Sequence, residues 1–218
     1  MKLLILGATG RTGRIIIEEV VKAGHEAVAI ARDPEKLEGI NAAVVAGSPY
    51  DKAAVVEAMP GCDAVINTLN VSRTSDFPWA KLRAPVDLIS RSAANALEAM
   101  RLNGVTRFVA LGAIGAGSSR GDVPALMRLV VDHSNLQPAF EDHGRQEELL
   151  VSSDTDYTLA RAPMLTLDDE DRGIMVKRPG ESGRLKNKLG RRSVARFFID
   201  IIENKKYIRE IIGVSNAR

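Results

Sequence analysis

Short apolar runs alternate with longer helical patterns through the first two thirds of the chain, and this alternation limits the fold more than any other feature of the sequence. The apolar runs predict strands at residues 2–6, 27–32, 42–46, 63–68, 107–112 and 157–161. The patterns between them predict helices over residues 12–23, 51–59 and 85–102. Because neighbouring parallel strands need helical crossovers, we expect an α/β protein with a doubly wound, mainly parallel sheet and helices on both faces.

The last third of the chain is expected to complete the same domain. A glycine- and serine-rich loop at residues 115–121 is followed by further elements, which are expected at residues 124–136, 138–152 and 193–204 for helices and 208–214 for a strand. Residues 163–192 are expected to form a small C-terminal extension on the substrate side of the domain. Neither a repeat nor a break in composition marks a second unit, so residues 1–218 are expected to form a single domain.

The composition excludes several classes of protein. Hydrophobic residues make up 45% of the chain, and 30 lysines and arginines stand against 28 aspartates and glutamates, which excludes a disordered or strongly charged chain. Cys62 is the single cysteine, so we expect no disulfide, no cysteine-built metal site and a cytoplasmic location. No stretch is both long and apolar enough for a bilayer span, so we expect no membrane association.

A glycine-rich turn follows the first predicted strand directly and opens the first predicted helix. It consists of Gly7, Ala8, Thr9, Gly10, Arg11, Thr12 and Gly13. Glycines let the backbone turn tightly and approach a pyrophosphate, and a helix N-terminus favours the phosphate charge. The spacing is GxxGxxG and not the commoner GxGxxG, so the flanking strand and helix carry most of the argument. A turn that merely joins strand to helix is the alternative to a dinucleotide site in a Rossmann-type fold.

Arg32 lies at the end of the second predicted strand, where an acidic residue would bind the adenosine ribose of a dinucleotide. A guanidinium at this position favours the 2′-phosphate, and therefore NADP(H) over NAD(H). Arg11 could add a second positive charge to the same phosphate. The alternative is that Arg32 is solvated or pairs with Asp33 or Glu35.

With these residues placed, the sequence resembles the atypical short-chain dehydrogenase/reductases that bind NAD(P), and among them the NmrA-like and flavin reductase or biliverdin-IXβ reductase-like group. The resemblance covers nearly the whole chain. Besides the glycine turn and Ala31-Arg32-Asp33, it is carried by residues 63–66, 104–109, 142–143, 147–150, 157–163 and 193–197.

The resemblance implies further cofactor contacts beyond the glycine turn and Arg32. Ser48 and Pro49 after the third strand would border the adenine, and Leu69 and Asn70 after the fourth would border the ribose. The nicotinamide half would be bordered by Leu111, Gly112, Ala113, His143 and Pro163. Two of these positions depart from the family: Ser48 replaces a usual acidic residue, and the segment ending in Ala113 offers no hydroxyl.

The sequence lacks the common proton donor of short-chain reductases, a tyrosine four residues before a lysine. Tyr50, Tyr157 and Tyr207 are followed at that distance by Ala, Arg and Ile. His143 is the candidate catalytic residue, because an imidazole near neutral pH can donate a proton or bind the cofactor. A role in orienting the cofactor, or in merely capping a helix start, is the equal alternative.

The segment 172–192 carries eight basic residues against one acid, Glu181, and follows the acidic run 168–171. It has no aromatic residue for stacking on bases, so a solvated loop or hairpin is favoured over nucleic-acid binding. Trp79 and Phe77 lie in the loop after the fourth strand, where they either line a substrate or pack within the loop.

Two functions therefore remain open. The first is an NADPH-dependent oxidoreductase that passes a hydride to a small conjugated acceptor such as a flavin, a quinone or a tetrapyrrole. The protein itself then needs to supply less, because water can provide the proton. The second is a non-catalytic NADP(H)-binding redox sensor or regulatory protein. The sequence leaves the acceptor and the oligomeric state open.

Overall fold

The structure, a computed structural model, describes residues 1–167 and 172–217. The strands are β1 (Lys2–Leu6), β2 (Glu26–Ala31), β3 (Ala43–Ala46), β4 (Ala64–Asn67), β5 (Arg107–Ala113), β6 (Asp156–Ala162), β7 (Met164–Thr166), β8 (Ile174–Lys177), β9 (Lys188–Gly190) and β10 (Glu210–Asn216). The α-helices are α1 (Arg11–Lys22), α2 (Lys52–Ala58), α3 (Leu88–Asn103), α4 (Ala125–Asp132), α5 (Gln137–Val151) and α6 (Arg191–Glu203), and short 3₁₀ helices span Pro34–Leu37 and Gly117–Asp122.

Within the described residues, eight strands form one sheet in the order β3-β2-β1-β4-β5-β6-β10-β8. The pairings are parallel except that of β10 with β8, which is antiparallel. β7 and β9 form a separate two-stranded parallel pair. This arrangement confirms the predicted α/β class and the mainly parallel, doubly wound sheet of Rossmann type.

The helices cover both faces of the sheet because successive strand residues point to opposite sides. On β1, Leu3 and Ile5 enter the core beneath α1 and α6, whereas Leu4 and Leu6 enter the core beneath α2, α3 and α5. All four side chains are fully buried. The apolar run at the N-terminus is therefore the central strand of a two-sided core, as expected for a parallel sheet.

Several element boundaries differ from the prediction. The helix predicted at 124–136 spans only Ala125–Asp132, and part of the predicted glycine-rich loop is a 3₁₀ helix. The last helix begins at Arg191 and not at Ser193, whose hydroxyl has no hydrogen-bond partner among the described residues. β7, β8 and β9 were not predicted, because these three- and four-residue strands are too short to show a period.

Candidate functional site

The candidate site lies at the carboxyl edge of the sheet, beside the central strand. β1 pairs with β2 on one side and with β4 on the other, so the strand order reverses there. In open α/β sheets the connections leave the two sides of such a point in opposite directions and open a crevice where ligands bind. The loops that follow β1 to β6 therefore surround the candidate site.

The glycine turn connects β1 to α1 and is shaped by close backbone contacts. Gly7 has a φ of +89°, and its carbonyl accepts a hydrogen bond from the Gly10 amide at 2.9 Å. A Cβ atom on Gly13 would lie 2.2 Å from the Gly7 carbonyl oxygen, so only glycine lets α1 start this close to the turn. α1 begins after Gly10 without a side-chain cap. Ala8 and Thr12 are buried within this turn, and Thr9 is exposed.

The two arginines expected near the nucleotide differ in their partners. The Arg11 guanidinium donates to both carboxylate oxygens of Asp76, at 2.9 and 3.4 Å. Arg32 is exposed directly after β2, and no salt bridge involves it in the described residues. Asp33, which was its alternative partner, pairs with Lys36 at 3.1 Å instead. The guanidinium of Arg32 is thus available to a phosphate at this edge.

The positions expected to border the adenosine half follow β3 and β4. The Ser48 hydroxyl accepts a hydrogen bond from the Tyr50 amide at 3.2 Å. Pro49 is buried and Leu69 is partly buried against the core, whereas Asn70 is exposed. Ser48 is therefore engaged in a local turn of the chain.

The positions expected to border the nicotinamide half belong to β5 and to the end of β6. Leu111, Gly112 and Ala113 are the last three residues of β5, which extends one residue beyond the predicted strand. Leu111 packs in the core, and only Ala113 among the three is partly exposed. Pro163 follows β6 and is partly exposed.

His143 lies inside α5 and not at its start. Its side chain is buried, and burial lowers its pKa to about 4, an effect only partly offset by the charge of Asp142. Its Nδ1 atom has no hydrogen-bond partner in the described part of the chain. The imidazole is therefore neutral near pH 7, and its position inside α5 rules out the helix-start alternative.

Lowering the pH is expected to destabilise the protein through His143. Because the unfolded histidine titrates near 6.5 and the folded one near 4, the unfolded state binds the extra proton between these values. The resulting stabilisation is present above pH 6.5 and is lost as the pH falls towards 4. In the wild type, the free energy of unfolding should fall by about 2 kcal/mol between pH 7 and pH 5, as measured by urea denaturation. His143→Asn should not show this fall. An unchanged pH profile in the variant would contradict the assignment.

A buried polar face of α5 was missed by the sequence analysis. Gln146 accepts a hydrogen bond from the Asn67 side-chain amide at 2.6 Å, and Asn67 in turn accepts one from the Leu69 amide at 3.1 Å. Asp142 accepts hydrogen bonds from the amides of Ile89 and Ser90, at the start of α3. Polar residues at helical spacing in 142–147 were a signal, but the sequence does not show that this face points inward.

Glu147 completes this face with a buried ion pair. Its carboxylate accepts hydrogen bonds from Arg161 on β6 at 2.6 Å and from the Ser118 hydroxyl at 2.7 Å. A Cβ atom on Gly117 would lie 2.6 Å from a Glu147 oxygen, so the 3₁₀ helix after β5 rests directly on this carboxylate. The pair therefore fixes the loop after β5 against β6 and α5.

The structure places each of the three tyrosines considered as proton donors. Tyr157 lies at the opposite end of β6, Tyr207 follows α6, and the Tyr50 hydroxyl donates to Asp87. In residues 1–167 and 172–217, no cluster of three or more His, Cys, Asp or Glu side chains could hold a metal ion. No helix in those residues has the length and apolar character of a membrane span.

The basic segment 172–192 is more ordered than the loop or hairpin expected from the sequence. β8 pairs with β10, β9 pairs with β7, and the last two residues of the segment begin α6. Arg178 binds Glu210 at 2.6 Å, and Arg192 binds Glu19 at 2.6 Å. The acidic run 168–171 lies outside the described residues.

The loop after β4 carries the two exposed aromatic residues. The rings of Phe77 and Trp79 are 5.3 Å apart, and the Trp79 indole donates to the His133 carbonyl oxygen at 2.7 Å. The Asn135 side chain donates to the carbonyl oxygens of Trp79 and Ala80. The loop is thereby attached to the segment that follows α4.

Comparison with known proteins agrees with this architecture. Eugenol synthase 2 of Clarkia breweri and phenylcoumaran benzylic ether reductase Betv6 of Betula pendula are each 34% identical over 34% of this chain and 28% of their own. The match thus spans less than a third of the length of these relatives. ChuY of Escherichia coli O157:H7, described as an anaerobillin reductase, superposes with a TM-score of 0.77 at 15% identity and covers 100% of this chain and 98% of its own.

A short-chain dehydrogenase/reductase of Veillonella parvula in complex with NADP also superposes, with a TM-score of 0.77 at 17% identity, over 99% of this chain and 94% of its own. At such identities these structures share the fold. A family model described as NAD(P)H-binding matches residues 7–205, from the first glycine of the turn to two residues beyond α6. This match confirms the resemblance stated from the motifs, and the chain belongs to the NAD(P)H-binding family.

Proposed function

We propose that this protein is an NADPH-dependent oxidoreductase that transfers a hydride from the nicotinamide to a conjugated small molecule such as a flavin, a quinone or a tetrapyrrole. The observation that carries the proposal is the turn from Gly7 to Gly13. It brings free backbone amides and the positive end of α1 to the carboxyl edge of the sheet, where a diphosphate is stabilised. A single cysteine, buried Cys62, agrees with a cytoplasmic location.

The preference for NADPH rests on Arg32. Its guanidinium is exposed at the tip of β2 and has no salt bridge in the described residues, while the neighbouring Asp33 pairs with Lys36. A planar guanidinium can bind a phosphate through two parallel hydrogen bonds, and its charge favours the phosphorylated adenosine. Arg11, the other arginine expected near this phosphate, donates to both carboxylate oxygens of Asp76.

Replacing Arg32 by alanine should weaken NADPH binding by about 1.5–3 kcal/mol and leave NADH binding nearly unchanged, because only NADPH carries the 2′-phosphate. Isothermal titration calorimetry with both nucleotides measures the two changes. Arg101→Ala, at an exposed position near the end of α3, is the matched control and should change neither affinity. An equal loss for NADPH and NADH in Arg32→Ala would contradict the phosphate role.

We assign His143 an orienting role within this function. A neutral, buried imidazole with an unpartnered Nδ1 can form a hydrogen bond with the cofactor. It does not act as an imidazolium that supplies a proton at pH 7. Reduction of a conjugated acceptor fits such a site, because the acceptor delocalises the incoming electron pair and takes its proton from water.

Exposed apolar side chains near this edge support a flat, apolar acceptor. The loop after β4 carries Phe77 and Trp79, and α4, which follows β5, exposes Leu126 and Leu129. Because large exposed apolar groups are costly in water, their grouping on the connections after two neighbouring strands favours a binding surface.

The second candidate is a non-catalytic NADP(H)-binding sensor. Ala113 at the end of β5 offers no hydroxyl to a substrate, and a His143 that is neutral at pH 7 lacks the imidazolium form of a proton donor, which favours this alternative. Anaerobic stopped-flow oxidation of bound NADPH by a panel of flavins, quinones and tetrapyrroles distinguishes the two. Turnover with any acceptor in the panel supports the oxidoreductase, and tight NADPH binding with no turnover supports the sensor.

A further inference from the structure

The loop after β4 is a short hairpin with an apolar tip. Its two arms are joined by an antiparallel bridge between Arg73 and Leu82. Phe77 and Trp79 lie at the tip, and their side chains are 61% and 51% exposed. The Trp79 indole nitrogen already donates to the His133 carbonyl oxygen at 2.7 Å, so the exposed part of this ring is apolar. The tip therefore presents two apolar rings to its surroundings.

α4 continues this apolar surface. Leu126 is 74% exposed and Leu129 is also more than half exposed, whereas Val131 is the buried residue of this helix. Leu129 and Leu126 precede His133 by about one and two helical turns, so they share the face that leads to the hairpin tip. We refer to the exposed side chains of the two segments as the apolar patch, which consists of Phe77, Trp79, Leu126, Met127 and Leu129. An exposed cluster of large apolar side chains is typical of an interaction surface.

Two cations without acidic partners lie on the same side of the hairpin as Trp79. Side chains alternate along the second arm: Leu82 and Ala84 pack against the core, whereas Lys81 and Arg83 are exposed with Trp79. In the described residues, neither Lys81 nor Arg83 makes an ion pair. The outward side of the hairpin therefore combines an aromatic tip with free positive charge.

The acids of the hairpin and of α4 do not neutralise this charge. Asp76 pairs with Arg11 at 2.9 Å, and Asp132 pairs with Arg120 at 2.6 Å. An apolar surface with aromatic residues and free cations is complementary to a bilayer that contains anionic lipids. A second copy of the chain fits less well, because a symmetric contact would bring the same cations of both copies together.

We propose that the apolar patch, with Lys81 and Arg83, is a docking surface for an anionic lipid bilayer, and that Phe77 and Trp79 insert into the interfacial region. A flat acceptor would cover part of this patch, whereas a bilayer surface would cover all of it. The sequence-based expectation of no membrane association rested on the lack of a spanning segment, and a contact at the bilayer surface needs none.

Trp79 reports on this contact directly, because it is the single tryptophan of the chain. Its fluorescence is followed while the full chain is titrated with mixed vesicles of phosphatidylcholine and phosphatidylglycerol. We expect a saturable shift of the emission to shorter wavelength, reduced quenching by acrylamide, and weaker binding as the salt concentration rises. Vesicles of phosphatidylcholine alone should bind at least about tenfold more weakly, because they lack the negative charge.

Surface variants separate the charged from the apolar contribution. Lys81→Gln combined with Arg83→Gln should weaken binding to the mixed vesicles by about tenfold to thirtyfold in a sedimentation assay. Leu126→Ser should weaken it by at least about tenfold, because a leucine no longer enters the interface. Leu102→Ser, which changes an exposed leucine near the end of α3, is the matched control and should bind as the wild type does.

Three outcomes would overturn the proposal. The first is unchanged Trp79 fluorescence in the presence of the mixed vesicles. The second is vesicle binding that is lost in Arg184→Gln combined with Lys188→Gln, in the basic segment, and kept in the hairpin variants. The third is an emission shift that depends on protein concentration without lipid, which would assign the patch to a second copy. Because no nucleotide or acceptor is present, these results are independent of the proposed function.

Discussion

Replacing Gly13 by alanine is expected to weaken NADPH binding by about a hundredfold or more, because a small displacement of a binding turn suffices for a loss of this size. The new Cβ atom would lie 2.2 Å from the Gly7 carbonyl oxygen and 2.8 Å from the Ala8 Cα atom. Both are backbone atoms, which cannot rotate away as a side chain would. The turn and the start of α1 must therefore separate, and the free energy of unfolding should fall by about 1–3 kcal/mol.

Gly121→Ala is the control for this substitution. A Cβ atom on Gly121 would meet no tertiary neighbour within 4 Å in the part of the chain that the structure describes, so alanine should be tolerated there. Calorimetric titration with NADPH and urea denaturation of both variants separate the effect on binding from the effect on stability. Wild-type affinity in Gly13→Ala would contradict the tight contact between the turn and α1.

Removing Glu147 should cause a large loss of stability. Arg161, whose side chain is 8% exposed, would keep its charge in the interior without a counter-charge, and the Ser118 hydroxyl would lose its acceptor. Removing one partner of a buried ion pair typically costs about 3–5 kcal/mol. We expect the free energy of unfolding of Glu147→Ala, measured by urea denaturation, to fall by this amount. Glu98→Gln, in an exposed pair, should change the stability by about 1 kcal/mol or less.

Removing both charges should be tolerated far better than removing one. The double variant Glu147→Leu with Arg161→Met keeps the volume and leaves no charge in the interior, so it should recover most of the loss. If the double variant is as unstable as Glu147→Ala, the cost comes from packing around the 3₁₀ helix and not from the unpaired arginine.

The strands of the eight-stranded sheet other than β8 could be predicted from the sequence, because burial on both faces gives each central strand a continuous apolar run. The glycine turn could be found because Gly7, Gly10 and Gly13 stand between such a run and a helical pattern. β7, β8 and β9 could not be found, because strands of three or four residues are too short to show a period.

The buried polar residues of α5 were harder to predict, because their burial depends on how the helix packs. His143 and Glu147 are ordinary helix residues in the sequence, and only the packing of α5 against β5 and β6 makes them buried. Burial then reverses the expectation for His143, from an acid near neutral pH to a neutral imidazole. The pair between Arg11 and Asp76 was equally hidden, because the two residues lie 65 positions apart along the chain.

The central claim is that the turn after β1 binds the diphosphate of a nicotinamide nucleotide while Arg32 binds the 2′-phosphate. A titration of the ¹⁵N-labelled protein with NADPH and NADH, followed through its backbone amide resonances, tests this claim most directly. We expect saturable shifts in the amides of Gly10, Arg11 and Thr12 with both nucleotides, and larger shifts around Arg32 with NADPH, whose 2′-phosphate lies there, than with NADH. The absence of saturable shifts in the turn up to millimolar nucleotide would contradict the account.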